Sequence, residues 1–305
     1  MNRRLWIAGS SASLAFAACP VRAQTLTPLD VAYAGSMGSM MEGPIKTGAS
    51  QTLQIEMHGR AQGSDALAKL IVGGSVAADI FIAVTPGPML TVLRGGKASV
   101  ATPVARTEMV IAYSPKSKYA PQFADAAAGK RGAMPWWQIL KQRDLRFGRT
   151  DPAVDPQGRN IIFTLQLAEA HYKQPGLAQS ILGPTINPAQ IFSEPTVEAR
   201  LQSGELDAAS AYKIQPGPFN VPFVTLPAEI NLGNDALRDR YAQQTLEIGG
   251  AIRHPEPLVY YAAVLDASAH KDKAVAFVNW LTGAGQAIFR QYFYDPSAGA
   301  SPLRA

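Results

Sequence analysis

The sequence predicts an α/β protein in which each structural unit has a central, mostly parallel sheet flanked by helices. Short apolar runs with polar or turn-forming neighbours indicate buried strands, and segments with apolar residues every three or four positions indicate helices. The two kinds of segment alternate along the chain. The length of 305 residues, 47% of them apolar and 17% charged, is enough for about two domains with their own cores.

Five short apolar runs are predicted strands. A proline, glycine, threonine or charged residue adjoins each of them, as is typical of strands buried in a sheet. In chain order they are residues 29–34, 78–84, 109–113, 206–212 and 258–265.

Five segments with helical periodicity are predicted helices. In the first, Ser64 is a candidate N-cap, Leu67, Leu70 and Ile71 share one face, and Gly73-Gly74 ends the helix. In chain order the predicted helices are residues 64–72, 136–142, 161–172, 197–202 and 271–281.

The N-terminus indicates export. Arg3 and Arg4 precede a short apolar stretch and a small-residue cleavage motif that ends at Ala23. We therefore predict that residues 1–23 are a signal peptide and that the mature protein is periplasmic. A loose lipoprotein box ends at Cys19, so lipid anchoring at that cysteine is the less favoured alternative.

Removal of the signal peptide lowers the net charge of the protein. The formal net charge of the full chain is +5, and loss of Arg3, Arg4 and Arg22 lowers it to +2. Neither this charge nor any cluster of Lys and Arg supports nucleic-acid binding. The single cysteine, Cys19, leaves with the leader, so we expect neither an intramolecular disulfide nor a cysteine-based metal site.

The sequence lacks the common signatures of catalysis. It contains no H-E-x-x-H, no G-x-x-x-x-G-K-[ST] and no G-x-S-x-G, and its histidines, His58, His171, His254 and His270, do not have the spacing of metal ligands. We therefore predict a protein that is not an enzyme and has no catalytic residue, resident metal or cofactor. An exported hydrolase with Ser36 as its nucleophile is an alternative of a different class.

Three turns indicate an anion-binding crevice. Gly35-Ser36 follows a predicted strand, Gly63-Ser64 opens a predicted helix, and the loop 155–158 leads towards another helix. The first amides of a helix have no partner within it, and the helix dipole adds partial positive charge there. Hydroxyl groups beside such amides can hold an oxyanion, so three such turns on one side of a sheet predict a ligand crevice.

These residues also resemble a known family. The specific segments are T-D-P-A-V-D-P-Q-G at 150–158 and L-P-A-E-I-N-L at 226–232. Weaker matches stand at 33–37, 63–64, 76–82, 204–207 and 274–278. Together, and in this order over nearly the whole mature chain, they resemble the periplasmic molybdate/tungstate-binding proteins of ABC transporters, a branch of the type II solute-binding proteins.

The resemblance implies a two-lobed periplasmic-binding-protein type II fold. Such a protein closes on a single tetrahedral oxyanion, here molybdate or tungstate, and delivers it to the permease of an ABC transporter. We expect a monomer in which residues 24–107 plus 258–305 form lobe 1 and residues 108–257 form lobe 2.

The resemblance also implies the binding residues. Ser36, with Gly35 in the same turn, and Ser64 stand where the family has its ligand-binding serines. Asp155 stands at the ligand-contacting aspartate. The alternative reading of Asp155 is a loop-capping residue before Pro156.

Two further candidates, and one departure from the family, complete the predicted site. Tyr212 lies near a strand end that supplies another contact, and Arg159 is a candidate to neutralise the anion, with an ion pair to Asp151 as the alternative. The resemblance implies a glutamate immediately before the tyrosine, where this sequence has Ala211. With Asp155 as the only carboxylate, we expect a four-coordinate anion held by hydrogen bonds. Sulfate, phosphate or a small organic anion is then the alternative ligand.

Overall fold

The computed structural model of the protein describes residues 25–297 and 299–305. The predicted signal peptide, residues 1–23, and the alternative anchor at Cys19 lie outside these ranges. Within them, no helix is both long enough and apolar enough to span a bilayer.

The described residues form alternating strands and helices. The strands are β1 (Thr27–Ala34), β2 (Ile55–Gln62), β3 (Ile80–Val84), β4 (Val100–Arg106), β5 (Met109–Tyr113), β6 (Phe147–Gly148), β7 (Ala208–Tyr212), β8 (Phe223–Thr225), β9 (Leu246–Ile248), β10 (Ala251–Arg253), β11 (Val259–Val264) and β12 (Leu303–Arg304). The helices are α1 (Gly38–Met40), α2 (Lys46–Leu53), α3 (Ser64–Val72), α4 (Pro86–Arg94), α5 (Ala120–Ala127), α6 (Trp136–Leu140), α7 (Pro156–Tyr172), α8 (Leu177–Leu182), α9 (Glu194–Ser203), α10 (Arg238–Tyr241), α11 (Lys271–Thr282) and α12 (Gln286–Gln291). Four single helical turns, at Gly35–Met37, Met41–Ile45, Gly217–Phe219 and Asp235–Leu237, complete the set.

The larger sheet has six strands in the order β12-β4-β11-β3-β1-β2. Strand β1 is parallel to both of its neighbours, β2 and β3. In contrast, β11 is antiparallel to β3 and β4, and β12 is antiparallel to β4. The sheet is therefore mixed rather than mostly parallel, because the two C-terminal strands run against the other four.

Strands β9 and β10 form a separate antiparallel pair, and the smaller of the two main sheets has four strands in the order β6-β7-β5-β8. It is also mixed: β6 and β7 are parallel, whereas β5 is antiparallel to both β7 and β8. The prediction of an α/β protein is confirmed, and the prediction of mostly parallel sheets is wrong. The cause in this sheet is β5, which the chain enters directly from β4 and which runs against the other three strands.

Helices cover both faces of the larger sheet. Side chains of β1 alternate between two cores: Val31 and Tyr33 pack on one face, and Ala32 packs on the other with Leu67 of α3. Burial on both faces explains why this strand is apolar throughout its second half instead of alternating.

The chain leaves the larger sheet through the segment between β4 and β5 and returns to it through the segment between β10, of the β9-β10 pair, and β11. The two segments are hydrogen-bonded to each other, since the amide of Thr107 donates to the carbonyl of Leu258 at 2.9 Å. The chain therefore leaves and re-enters the larger sheet through adjacent segments.

Helix α3 confirms the helix predicted at 64–72, but other elements differ from the prediction in ways that affect the site, among them α9, which begins at Glu194 instead of residue 197. Helix α7 begins at Pro156 instead of residue 161, because Asp155 caps it and proline is tolerated in the first helical turn. Strand β2 is not apparent from apolar patterning. It lies at the edge of the sheet and exposes every residue after Met57.

We expect substitution of Gly158 by alanine to destabilise the protein by about 1–3 kcal/mol, through overpacking. A Cβ at Gly158 would lie 2.7 Å from the backbone nitrogen of Pro152 and would also clash with the carbonyl of Thr150. These are backbone atoms, so the loop before α7 would have to move. Urea unfolding measures the effect.

The matched control is Gly38→Ala, because a Cβ at Gly38 meets no atom within 4 Å. Equal stability of Gly158→Ala and the wild type would contradict the close packing of this loop against α7.

Candidate functional site

Parallel pairing of β1 and β2 brings two serine turns together. Ala34, the last residue of β1, pairs with Gln62, the last residue of β2. Gly35-Ser36 and Gly63-Ser64 therefore leave the sheet side by side at the carboxyl ends of the strands, where α/β proteins commonly bind ligands. A Cβ at Gly35 would lie 3.8 Å from the backbone of Gln62, which shows how close the two chains approach.

The hydroxyl groups of both serines are engaged by neighbouring donors or acceptors. Ser64 is 2% exposed at the start of α3, and its Oγ accepts a hydrogen bond from the amide of Val84 at 3.2 Å. Because that oxygen is an acceptor, its proton is available to a ligand. Oγ of Ser36 lies 2.9 Å from the hydroxyl of Tyr260, and either of these two groups can donate.

Asp155 serves as a helix cap and also lines the pocket described below. Its Oδ1 accepts a hydrogen bond from the amide of Gln157 at 2.8 Å, which makes it the N-cap of α7. Burial raises the pKa of the Asp155 carboxyl above its usual value. The structural and functional readings of this residue are therefore compatible, since Asp155 caps the helix through Oδ1 and also lines the pocket.

Tyr212 is the last residue of β7 and is 3% exposed. Its hydroxyl oxygen accepts a hydrogen bond from Nδ2 of Asn160 at 2.9 Å, so its own proton is available to a ligand. Burial raises the pKa of Tyr212 well above its usual value, and the group therefore remains a neutral donor.

These residues surround one pocket of about 240 Å³, here called the site pocket. Its lining residues come from the ends of β1, β2, β3 and β7 and from the starts of α3, α7 and α9. They are Ala34, Gly35, Ser36, Gly63, Ser64, Val84, Val154, Asp155, Pro156, Gln157, Glu194 and Tyr212. Five of the six predicted site residues thus line the same pocket, and no histidine is among the described residues that line it.

Arg159 is the predicted site residue that lies elsewhere. Its Nη2 donates to Oδ2 of Asp65 at 3.1 Å, and its Nη1 donates to the carbonyl of Pro152 at 3.2 Å. The acidic partner is therefore Asp65 of α3 rather than Asp151. Arg159 lines a second pocket of about 380 Å³, which shares Val84 and Pro156 with the site pocket.

Glu194 is the functional candidate that the sequence reasoning missed. It is the first residue of α9, and its partly buried side chain lines the site pocket. Burial and, to a smaller extent, the nearby Asp155 raise the pKa of Glu194 to about 7. The pocket therefore contains two carboxyl groups, although Ala211 stands where the resemblance implied the second one.

A signal for Glu194 is present in the sequence. Ser193-Glu194-Pro195 has the form of a helix start, with an N-cap residue type and an early proline. Recognition of this start would have put a carboxylate in the first turn of a helix, at the kind of position that the other site residues occupy.

Comparisons with known proteins relate the chain to a family and to solved structures. A profile of the family described as bacterial extracellular solute-binding protein matches residues 29–295. The molybdate/tungstate-binding protein WtpA of Pyrococcus abyssi is 28% identical over 214 residues, which are 63% of this chain and 60% of that protein. The chain therefore spans less than two thirds of the length of this relative.

Solved structures share the fold at low sequence identity. The periplasmic molybdate-binding protein of Azotobacter vinelandii has a TM-score of 0.56 and 17% identity, over 87% of this chain and 98% of that one. The sulfate-binding protein SubI of Mycobacterium tuberculosis has a TM-score of 0.56 and 12% identity, over 90% of this chain and 88% of that one. These similarities confirm the predicted type II periplasmic-binding-protein fold.

We expect Glu194→Gln to stabilise the ligand-free protein at pH 8. The pKa of Glu194 rises from the usual 4.5 to about 7 on folding, so the folded state binds more protons than the unfolded state between these values. The wild type therefore loses stability as the pH rises from about 5 to 7. The variant should be about 1–2 kcal/mol more stable at pH 8, after allowance for solvent screening, and similar to the wild type at pH 5.

Urea unfolding at both pH values measures this difference, with Glu205→Gln in an exposed turn as the control. A gain for Glu194→Gln that is the same at pH 5 and pH 8 would show that the titration of Glu194 is not its source.

Proposed function

Because the chain belongs to the family of bacterial extracellular solute-binding proteins, we propose that it captures molybdate or tungstate in the site pocket and delivers it to the permease of an ABC transporter. The observation that carries this proposal is the direction of the hydrogen bonds at two hydroxyl groups of the site pocket. The oxygens of Ser64 and Tyr212 already accept hydrogen bonds from the protein, so both groups present protons to the ligand. A tetrahedral oxyanion, which offers only acceptors, fits such donors.

The proposed lobes are residues 24–107 plus 258–305 and residues 108–257. The distribution of strands supports this division: β1 to β4, β11 and β12 form the larger sheet, and β5 to β8 form the smaller one. Ser36 and Ser64 then come from lobe 1, and Asp155, Glu194 and Tyr212 from lobe 2. Closure of the lobes would bring both groups onto one ligand.

The two carboxyl groups favour a metal oxyanion over sulfate or phosphate. A carboxylate repels the oxygens of any dianion, but its own oxygen can bind to a Lewis-acidic centre such as Mo(VI) or W(VI). The central atoms of sulfate and phosphate do not extend their coordination in this way. We propose that Asp155 and Glu194 both bind the central metal atom, so the expectation of a four-coordinate anion is replaced by a proposal of six-fold coordination.

The family is one of transport proteins, and the surroundings of Ser36 support binding rather than hydrolysis. A serine nucleophile needs a neighbouring base. The partner of Ser36 Oγ is the hydroxyl of Tyr260. Burial raises the pKa of Tyr260 above its usual value, so this hydroxyl stays protonated and does not act as a base. We further propose that residues 1–23 direct export to the periplasm and that the mature protein is a monomer.

We expect the mature protein, residues 24–305, to be stabilised by molybdate and tungstate in a thermal-shift titration. A ligand at about 100-fold its dissociation constant adds about 2.7 kcal/mol, which corresponds to several degrees for a chain of this size. Sulfate, phosphate and small carboxylates in the same phosphate-free buffer are the controls. A shift with sulfate or phosphate alone would overturn the proposal of a metal oxyanion.

We expect Tyr212→Phe to weaken tungstate binding by about 10-fold or more, because a hydrogen bond to a charged group contributes about 1.5–3 kcal/mol. The control is Tyr113→Phe, since Tyr113 stacks on Phe123 in the core and does not line the site pocket. Isothermal titration calorimetry measures both variants. Unchanged affinity of Tyr212→Phe would exclude this hydroxyl as a ligand donor.

A further inference from the structure

Two buried glutamines connect the backbone of β7 to the carboxylate of Glu194. The amide of Tyr212 donates to Oε1 of Gln215 at 2.7 Å, and Nε2 of Gln157 donates to the carbonyl of Ser210 at 2.9 Å. Gln157 and Gln215 are 4% and 8% exposed. Both backbone groups lie beyond the end of the pairing between β6 and β7, which stops at Gly148 and Ala209. The glutamines thus provide hydrogen-bond partners where the short strand β6 has ended.

The backbone groups fix the orientation of both side-chain amides. A backbone N–H can only donate, so the atom of Gln215 that faces Tyr212 must be its oxygen. A carbonyl can only accept, so the atom of Gln157 that faces Ser210 must be its nitrogen. A flip of either amide would place donor against donor or acceptor against acceptor.

With this orientation, the NH₂ group of Gln215 has two partners. It donates to Oε1 of Gln157 at 3.1 Å and to Oε1 of Glu194. One oxygen of Glu194 is therefore held as an acceptor by a donor whose direction is set by the strand. Gln215 is not among the residues that line the site pocket, so its effect on a ligand passes through Glu194.

We propose that Gln215 is a positioning residue for the oxyanion site: it fixes the carboxylate of Glu194 in the orientation that binds the ligand, and Gln157 holds Gln215 in place by accepting its other hydrogen bond. This inference rests on the proposed function, in which Glu194 contacts the bound anion. Gln215 also lowers the repulsion between Glu194 and Asp155, because it directs a partial positive charge at one of the two carboxylates. Loss of this donor should allow Glu194 to turn away from Asp155 and from the ligand.

The test is a double-mutant cycle on tungstate affinity, measured by isothermal titration calorimetry on the mature protein. The variants are Gln215→Met, which has a similar volume but no donor, Glu194→Gln, and the two combined. We expect Gln215→Met to weaken tungstate binding at least 10-fold in the wild-type background. In the Glu194→Gln background we expect less than a 2-fold further loss, because both substitutions act through the same carboxylate.

Gln215→Glu tests the same idea with an isosteric side chain. A carboxylate at this position would repel Glu194, so it should weaken binding more than Gln215→Met does, and this excess should become smaller in the Glu194→Gln background, where only the repulsion from Oε1 of Gln157 remains. Gln138→Glu is the matched control, because Gln138 is exposed on α6 and does not line the site pocket. It should leave tungstate affinity within 2-fold of the wild type.

The possible outcomes separate the two proposals. If the wild type binds neither tungstate nor molybdate, the proposed function is wrong and the role of Gln215 in it is wrong as well. If the wild type binds tungstate and Gln215→Met binds it equally well, only the positioning role is overturned. An equal loss in both backgrounds would show that Gln215 supports the fold of β7 without acting on Glu194, and would also overturn the inference. Melting temperatures of the same variants identify any loss that comes from unfolding.

Discussion

The main constraint on the site is that two carboxyl groups, those of Asp155 and Glu194, line one pocket. The hydrogen bonds of the neighbouring residues compensate for it. Asp155 contributes to the raised pKa of Glu194, and burial contributes more. Such a pair is unfavourable unless neighbouring groups donate hydrogen bonds to it or a ligand binds it. The protein supplies the first kind of support at both residues. The amide of Gln157 donates to Asp155, and the side chain of Gln215 donates to Glu194. A ligand with an electrophilic centre would supply the second.

The turns of the site that follow from local sequence patterns could be predicted from the sequence. Gly35-Ser36 follows a recognisable strand and Ser64 starts a recognisable helix, so each turn is visible on its own. Their contact depends on the register of β1 against β2, and β2 is a polar edge strand that apolar patterning does not reveal. The family resemblance supplied the relation between the two serines that the pattern of strands and helices alone did not. Asp155 could be predicted both from the local pattern and from the family resemblance, because a helix cap and a ligand contact require the same side chain at this position.

The parts that the sequence did not predict depend on contacts between distant residues. Glu194 reaches the site pocket from a helix start, and no spacing rule connects it to the predicted site residues. Arg159 bonds to Asp65, 94 positions away, instead of the nearby Asp151. The sheets are mixed because the C-terminal strands re-enter the larger sheet in the opposite direction and β5 opposes its neighbours in the smaller one. Strand direction of this kind is a property of the whole chain path, whereas apolar runs identify only the strands themselves.

Selectivity for a metal oxyanion cannot come from the hydroxyl donors alone. Ser64 and Tyr212 would serve any tetrahedral dianion, and a protonated anion such as hydrogen phosphate could place its proton on one of the carboxylates. The carboxylates discriminate only if they point at the centre of the anion, where Mo(VI) or W(VI) accepts a further oxygen and sulfur or phosphorus does not. A carboxylate turned towards the oxygens of the anion would repel every candidate alike. In the proposed function, the orientation of Glu194 therefore decides between a metal oxyanion and the other dianions. In the proposed arrangement Gln215, which lies outside the site pocket, sets that orientation, because the end of β6 leaves two backbone groups of β7 to direct Gln157 and Gln215.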